Sequence, residues 1–224
     1  MDTNPINTRN RKRRNAEGSH IDFRVLEELL VAENRLQDGD NQLLFCPVKA
    51  ELHRSGRNSA KAPDRPTLPR TMLFSSYSNS VLQATSFADL GLVAQDLQHI
   101  FSPGKGNGAW WLDVQNPSEK TVRQLCASFG VHHLTVEDIV TGECGEKIED
   151  FSLYYFTCIR SFQAMEVESH VEYEPYNVYM VVFEEGTLSF SFTQSDHSAH
   201  ICDRIEVLKD YVQISSDWFF YALM

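Results

Sequence analysis

The spacing of apolar residues divides the chain into helical and extended segments. In residues 21–36 apolar side chains recur every three to four positions, which predicts an amphipathic helix. The same criterion predicts helices at 86–102, at 133–140, at 199–212 and from 217 onward. Elements of both kinds therefore alternate along the chain.

Strands are predicted where branched and aromatic residues form short runs without helical spacing. These runs lie at 42–48, 72–77, 109–114, 151–162, 178–183 and 188–193. The last two flank Glu184-Glu185-Gly186-Thr187, a sequence that is typical of a hairpin.

Polar residues and glycines mark the helix ends. A further helix is predicted to start at Asn116-Pro117-Ser118-Glu119, with Asn116 as N-cap, and to end at Gly130. Ser86 and Asp89 have the spacing of a capping box at the start of the helix at 86–102.

Composition shifts divide the chain into three parts. Residues 1–20 are predicted to form a disordered basic tail, either a plain solvated tail or a patch for nuclear import or anionic lipids. Residues 21–70 are predicted to form an extension with a helix, a strand and a proline-rich linker, before a compact domain at 71–224. The tail's basic residues are Arg9, Arg11, Lys12, Arg13 and Arg14.

The composition is that of a soluble protein with a sizeable core. Of the 224 residues, 42% are hydrophobic and 23% are charged. No apolar stretch approaches the roughly 20 residues of a membrane span, and the start lacks the apolar segment of a signal peptide. Because the chain stops inside an apolar helix, we expect it to be cut from a longer protein.

Charge is concentrated in the second half. The net charge is −11, and residues 105–224 hold seven basic and nineteen acidic residues. This excess disfavours nucleic-acid binding and favours cations or basic surfaces as partners. The five cysteines are odd in number and form no CxxC, which indicates a reducing compartment.

Signatures of enzymes are missing. The sequence has no GxGxxG, P-loop, GxSxG or HExxH, so we predict that the protein is not an enzyme, and nothing supports a metal-dependent hydrolase. His197 and His200 have the spacing to ligate a metal on one helix face, although capping by Asp196 or Ser198 is the alternative. The rings of His132-His133 are expected to point in different directions.

The acidic pair Glu137-Asp138 is the main candidate for metal chemistry. It lies on a short predicted helix, and hard divalent cations such as Mg²⁺ bind through one or two carboxylates plus water. The alternative is that Thr135-x-x-Asp138 is a capping box. Further acidic residues follow at Glu143, Glu146, Glu149 and Asp150.

Several ordered motifs resemble the CorA family of magnesium channels. Residues 111–117 (WLDVQNP) are similar to its strand–helix start, and residues 129–139 (FGVHHLTVEDI) are similar to its motif that contains the acidic pair, although His133 replaces the usual proline. Residues 147–151 together with Tyr155-Phe156 match the family's next sequence motif, and residues 217–223 match the helix that leads to its stalk. The fungal CorA-like branch is most similar, and the resemblance covers 71–224.

The resemblance implies a fold and a role. The fold would be an α/β/α sandwich with a mixed, largely antiparallel central sheet. The chain would be the cytosolic Mg²⁺-sensing regulatory domain of a CorA-type magnesium transporter, part of a pentameric funnel. Asp138 would be the first Mg²⁺ ligand and Glu137 the second, with weak binding because the family's partner carboxylates lie in or near the stalk.

The remaining expectations also follow from the resemblance. The pore motif and the two transmembrane helices are absent here, so the membrane contact would be made by segments beyond this chain. The domain would lie at the cytosolic face of the plasma membrane or the vacuolar membrane. The alternative function is a metal-independent interaction or scaffolding module on the same fold.

Overall fold

A computed structural model describes residues 20–37, 70–102, 108–142, 145–167 and 170–224. Most of the predicted basic tail and linker lie outside the described residues. So does the predicted strand at 42–48.

One mixed sheet forms the centre of the fold. In the described residues it has the order β2-β1-β3-β7-β6-β5-β4, and all neighbours are antiparallel except β3 and β7. This confirms the predicted mixed, largely antiparallel sheet. The strands are β1 (Thr71–Ser75), β2 (Ser80–Ala84), β3 (Trp110–Gln115), β4 (Lys147–Asp150), β5 (Tyr154–Val167), β6 (His170–Phe183) and β7 (Gly186–Ser191).

Helices cover both faces of the sheet. One face packs against α1 to α4 in the main core, and the other packs against α5 and α6 in a second core. This arrangement confirms the predicted α/β/α layers. The helices are α1 (Phe23–Gln37), α2 (Ala94–Phe101), α3 (Glu119–Ser128), α4 (His133–Thr141), α5 (His197–Leu208) and α6 (Ser216–Leu223).

The central strands β3 and β7 are buried on both sides because both faces of the sheet are covered. On β3, Trp110 and Leu112 enter the main core, whereas Trp111 between them enters the second core. Gly186 starts β7 beside Trp110, and a Cβ there would overlap the indole ring. A glycine at this position therefore lets β7 approach β3 closely.

Helix α1 belongs to the main core although we assigned it to an extension before the compact domain. Leu26 and Leu29 are fully buried in the same cluster as the sheet residues. The Asp22 N–H donates to the Ser128 carbonyl at 2.7 Å, at the end of α3. The segment before 71 thus supplies part of the domain's packing.

The single helix predicted at 86–102 is wrong. A 3₁₀ turn at Ala88–Leu90 ends at Gly91, whose φ of 68° is left-handed, and α2 starts at Ala94. Ser86 accepts from the Asp89 N–H at 3.3 Å, so the predicted cap serves the short turn. Glycine stops the helix because it adopts this conformation without steric cost.

The predicted N-cap of α3 is also wrong. Ser118 caps the helix by accepting the Thr121 N–H at 3.1 Å, and Asn116 instead adopts a φ of 50° in the preceding turn. The predicted end is confirmed, because Gly130 follows α3 with a φ of 69°.

Two short strands, β2 and β4, were not predicted. They form the two edges of the sheet, where one side of a strand faces solvent and the apolar pattern is weak. The predicted hairpin is confirmed, with Val182 opposite Thr187. Strand β6 starts at His170, well before the predicted 178, and pairs with β5 along its whole length.

No helix within the described ranges combines the length and the apolar character that a membrane span requires.

Candidate metal site

Helix α4 and strand β4 position the predicted acidic pair at one edge of the molecule. Asp138 lies on α4 with a side chain that is 32% exposed, whereas the neighbouring Glu137 is exposed. Consecutive helical residues do not face each other. The pair therefore offers two separate carboxylates, and one ion in this domain cannot use both on one helix face.

The Asp138 carboxylate forms an ion pair with a lysine of the same chain. The Lys147 ammonium, at the start of β4, lies 2.8 Å from Asp138 Oδ2 and 2.9 Å from Glu149 Oε1. The same ammonium lies 5.6 Å from the centre of the Phe156 ring. Two carboxylates and a ring face thus surround one positive charge in a partly solvated site.

The alternative capping role for this segment is wrong. His132 is the N-cap of α4, and its Nδ1 accepts the Leu134 N–H at 3.3 Å. Thr135 lies inside the helix, buried, with its hydroxyl 3.0 Å from the Tyr154 hydroxyl. Asp138 therefore has no capping function, and the contact that involves its carboxylate is the Lys147 ion pair.

Glu143 lies outside the described residues, and the other acidic side chains near Asp138 do not complete a metal site. Glu146 accepts the Arg160 N–H at 3.2 Å, and Asp150 is exposed. Across the part of the chain that the structure describes, no group of three or more His, Cys, Asp or Glu side chains could hold a metal. The described carboxylates alone therefore supply fewer oxygen ligands than the octahedral shell that Mg²⁺ requires.

Neither histidine pair forms a metal site in the described structure. His197 Nε2 lies 3.2 Å from the Leu223 carbonyl, and His200 is exposed. The rings of His132 and His133 lie with centroids 4.2 Å apart, so the expectation of divergent rings is wrong. That expectation assumed a regular backbone, whereas His132 is extended with a ψ of 145°.

A buried polar network around Asp113 was missed by the sequence analysis. The Asp113 carboxyl is 2% exposed, and Oδ1 accepts the Ser189 hydroxyl at 2.5 Å. Ser198, which we considered as a cap of α5, also hydrogen-bonds to Asp113, and Asp196 makes no side-chain cap. The available signal was an acidic residue inside the apolar strand at 110–115.

Burial controls the chemistry of this carboxyl. Desolvation raises the pKa of Asp113, and the hydrogen bonds from Ser189, Ser198 and Gln115 only partly oppose that shift. The group lies between β3 and α5, in the layer opposite α4. It therefore belongs to the packing of the domain and not to the Asp138 site.

The chain is similar to known transporters. The profile of the family described as CorA-like Mg²⁺ transporter protein matches residues 106–224. A candidate metal ion transporter of Schizosaccharomyces pombe is 40% identical over 181 residues, which cover 80% of this chain and 22% of that relative. The magnesium transporter ALR2 of Saccharomyces cerevisiae is 34% identical over 214 residues, which cover 89% of this chain and 25% of that relative.

The chain spans a quarter or less of the length of these two relatives. Among solved structures, the full-length CmaX protein superposes with a TM-score of 0.50 at 9% identity, covering 73% of this chain and 46% of that chain. At this identity the likeness shows a shared fold.

Proposed function

Because the chain belongs to the CorA-like Mg²⁺ transporter family, we propose that it is the cytosolic, Mg²⁺-sensing regulatory domain of a magnesium transporter. The transporter would carry the membrane-spanning segments elsewhere, and this domain would form part of its oligomeric funnel. The observation that carries the proposal is that the family match, over 106–224, includes strands β3 to β7 and the α4 carboxylates.

Asp138 is the proposed first ligand of the sensed ion. Its carboxylate is partly exposed, and its pairing with the Lys147 ammonium at 2.8 Å supports the proposal that this position attracts positive charge. Mg²⁺ would have to displace that ammonium from Asp138 and Glu149, because an ammonium and Mg²⁺ need the same oxygen atoms. A tethered competitor of this kind keeps Mg²⁺ binding weak, as a sensor of cellular concentrations requires.

Glu137 is the proposed second ligand, although its side chain lies on a different side of α4 from that of Asp138. It is exposed and turned away from Asp138 on the helix. A carboxylate in this position suits an ion shared with a neighbouring protomer, together with water. Each such ion would hold two acidic surfaces together, and losing it would let them repel.

This proposal links ion binding to assembly. A ligand shifts an equilibrium only by its different affinities for the two states. If Mg²⁺ binds better between associated protomers than to a single protomer, then falling Mg²⁺ loosens the assembly, which is the proposed gating signal. The net charge of −11 supplies the repulsion that the ion must overcome.

The experiment titrates MgCl₂ into this chain by calorimetry and repeats sedimentation velocity with EDTA and with Mg²⁺. We expect weak binding in the native chain, loss of binding in Asp138→Asn, and several-fold tighter binding in Lys147→Met. Asp203→Asn, which removes an exposed carboxylate from α5 in the opposite layer, is the matched control and should bind as the native chain does.

The outcomes separate the candidate functions. Association that requires both Mg²⁺ and Asp138 supports sensing between protomers. Mg²⁺ binding that is identical in the Asp138, Lys147 and Asp203 variants would reject this site. If no variant binds Mg²⁺ or changes its sedimentation, the metal-independent interaction module becomes the better description of the domain.

A further inference from the structure

Strands β5 and β6 continue past the rest of the sheet as a two-stranded arm, formed by residues 160–167 and 170–177. Strand β4 pairs with β5 only at 155–158, and β7 pairs with β6 only at 178–182. In the described residues, no other strand continues beside either side of the arm. The arm therefore has two open edges, which folded proteins usually shorten or cover.

One face of the arm carries an exposed apolar stripe. Phe162 lies opposite Pro175, and Ala164 lies opposite Tyr173, so these side chains share one face. Phe162 is 62% exposed, Tyr173 is 69% exposed, and Val171 farther along is also exposed. Apolar side chains clustered in this way on a solvent face are typical of an interaction site.

The outer edge of β5 in the arm presents backbone groups next to that stripe. At the base of the arm the Arg160 N–H of β5 donates to the carboxylate of Glu146, the residue just before β4, at 3.2 Å. Because the direction of backbone groups alternates along a strand, the N–H groups of Phe162 and Ala164 face the same outer edge. An added strand would hydrogen-bond there and place alternate side chains on the stripe.

Charge indicates the kind of segment that would bind. The arm contains three glutamates and one arginine, and its other titratable groups are His170, Tyr173 and Tyr176. A second copy of this chain would bring an equally acidic arm and a net charge of −11, so like charges would oppose self-pairing. A segment with basic residues would be attracted instead. The glutamates are Glu166, Glu172 and Glu174.

We propose that the arm binds an extended segment of a partner protein in which apolar residues alternate with Lys or Arg. The segment adds as a strand to the outer edge of β5, its apolar side chains cover Phe162 and Tyr173, and its basic side chains face the acidic surface of the arm. This interaction is separate from the Asp138 site and independent of Mg²⁺.

The test uses the full chain and two labelled peptides as long as the arm's outer strand. One alternates valine with lysine and the other alternates valine with glutamate, and binding is followed by fluorescence anisotropy. We expect the lysine peptide alone to bind, and its binding should weaken at high salt. The double variant Phe162→Ser, Tyr173→Ser should weaken it about tenfold or more.

Matched controls distinguish binding at the arm from nonspecific binding to exposed apolar side chains. Val207→Ser with Tyr211→Ser removes two apolar side chains that are 68% and 85% exposed on and just after α5, and should leave binding unchanged. Glu172→Lys with Glu174→Lys should exchange the preference between the peptides. Hydrogen exchange at the amides of Phe162 and Ala164 should slow when the lysine peptide binds.

Three results would overturn the proposal. Equal binding of both peptides would show that charge does not select the segment. Undiminished binding of the lysine peptide by the Phe162→Ser, Tyr173→Ser variant would show that the apolar stripe is not the binding surface. Self-association of the native chain that this variant abolishes would make a second copy the occupant.

Discussion

Asp113 shows at the level of one residue how burial and hydrogen bonding compete. The carboxyl receives hydrogen bonds from Ser189 and Gln115, at 2.5 and 3.4 Å, yet desolvation still raises its pKa. The Ser189 hydroxyl also accepts the indole N–H of Trp111 at 2.9 Å. These contacts connect β3 to β7 through polar groups inside an apolar layer, which helps to fix the register of the two parallel strands.

The raised pKa predicts how stability depends on pH. Between the ordinary pKa of an aspartate in the unfolded chain and the raised pKa in the fold, the folded state binds more protons, so this group's contribution to stability falls as pH rises. In Asp113→Asn, which cannot titrate at this position, the decrease in stability with rising pH that is due to Asp113 should be absent. Chemical denaturation from pH 4 upward should show that the native chain loses free energy of unfolding relative to Asp113→Asn.

Asp203→Asn is the control for this pH series, because its carboxylate is exposed on α5. It should follow the native chain at each pH. If Asp113→Asn also runs parallel to the native chain, or loses stability relative to it as pH rises, the Asp113 carboxyl does not favour its neutral form in the fold.

Individual helices and strands could be predicted where the spacing of apolar residues followed one clear periodicity along the segment. The main core uses the helical spacing of α1, β3 begins with a run of large apolar residues, and β7 alternates apolar residues with Thr and Ser, so their positions agree with the sequence patterns. The edge strand β4 was missed because KIED exposes alternate residues and has little apolar signal. The break at Gly91 was missed because apolar residues keep helical spacing across it, while the backbone conformation of one glycine ends the turn.

Helix α1 supplies the prediction at this scale. Leu26 is fully buried in the main core, so Leu26→Ala should lower the free energy of unfolding by about 2–5 kcal/mol. Val31→Ala, on the same helix but 49% exposed, should change it by no more than about 0.5 kcal/mol. Thermal and chemical denaturation measure both. Equal, small effects would mean that α1 does not contribute to the stability of the domain.

At the scale of the whole molecule, the candidate site was only partly predictable. Sequence motifs identified Asp138 and placed it on a short helix, and the structure agrees with that helix. The nine-residue separation between Asp138 and Lys147 gave no sign that the ammonium lies between two carboxylates, because the contact requires α4 and β4 to meet at one edge. Contacts of this kind depend on tertiary packing, which local patterns do not encode.

Both cores share one sheet, and this determines how the molecule should unfold. Trp110 and Trp111 are adjacent on β3 but enter opposite cores, and Phe219 of α6 stacks on Trp111 with ring centroids 5.6 Å apart. Removing either helical layer would expose one face of the same strands. We therefore expect a single cooperative transition by fluorescence and circular dichroism.

Phe219→Ala tests this coupling from the side opposite α1. The ring is fully buried, so its removal should cost about 3–5 kcal/mol, comparable with Leu26→Ala. Because the two side chains lie in different cores, the costs should add within about 0.5 kcal/mol in the double variant when denaturation is measured. A biphasic transition in Phe219→Ala would show that α5 and α6 unfold separately, and the sheet would then have to remain stable with one face uncovered.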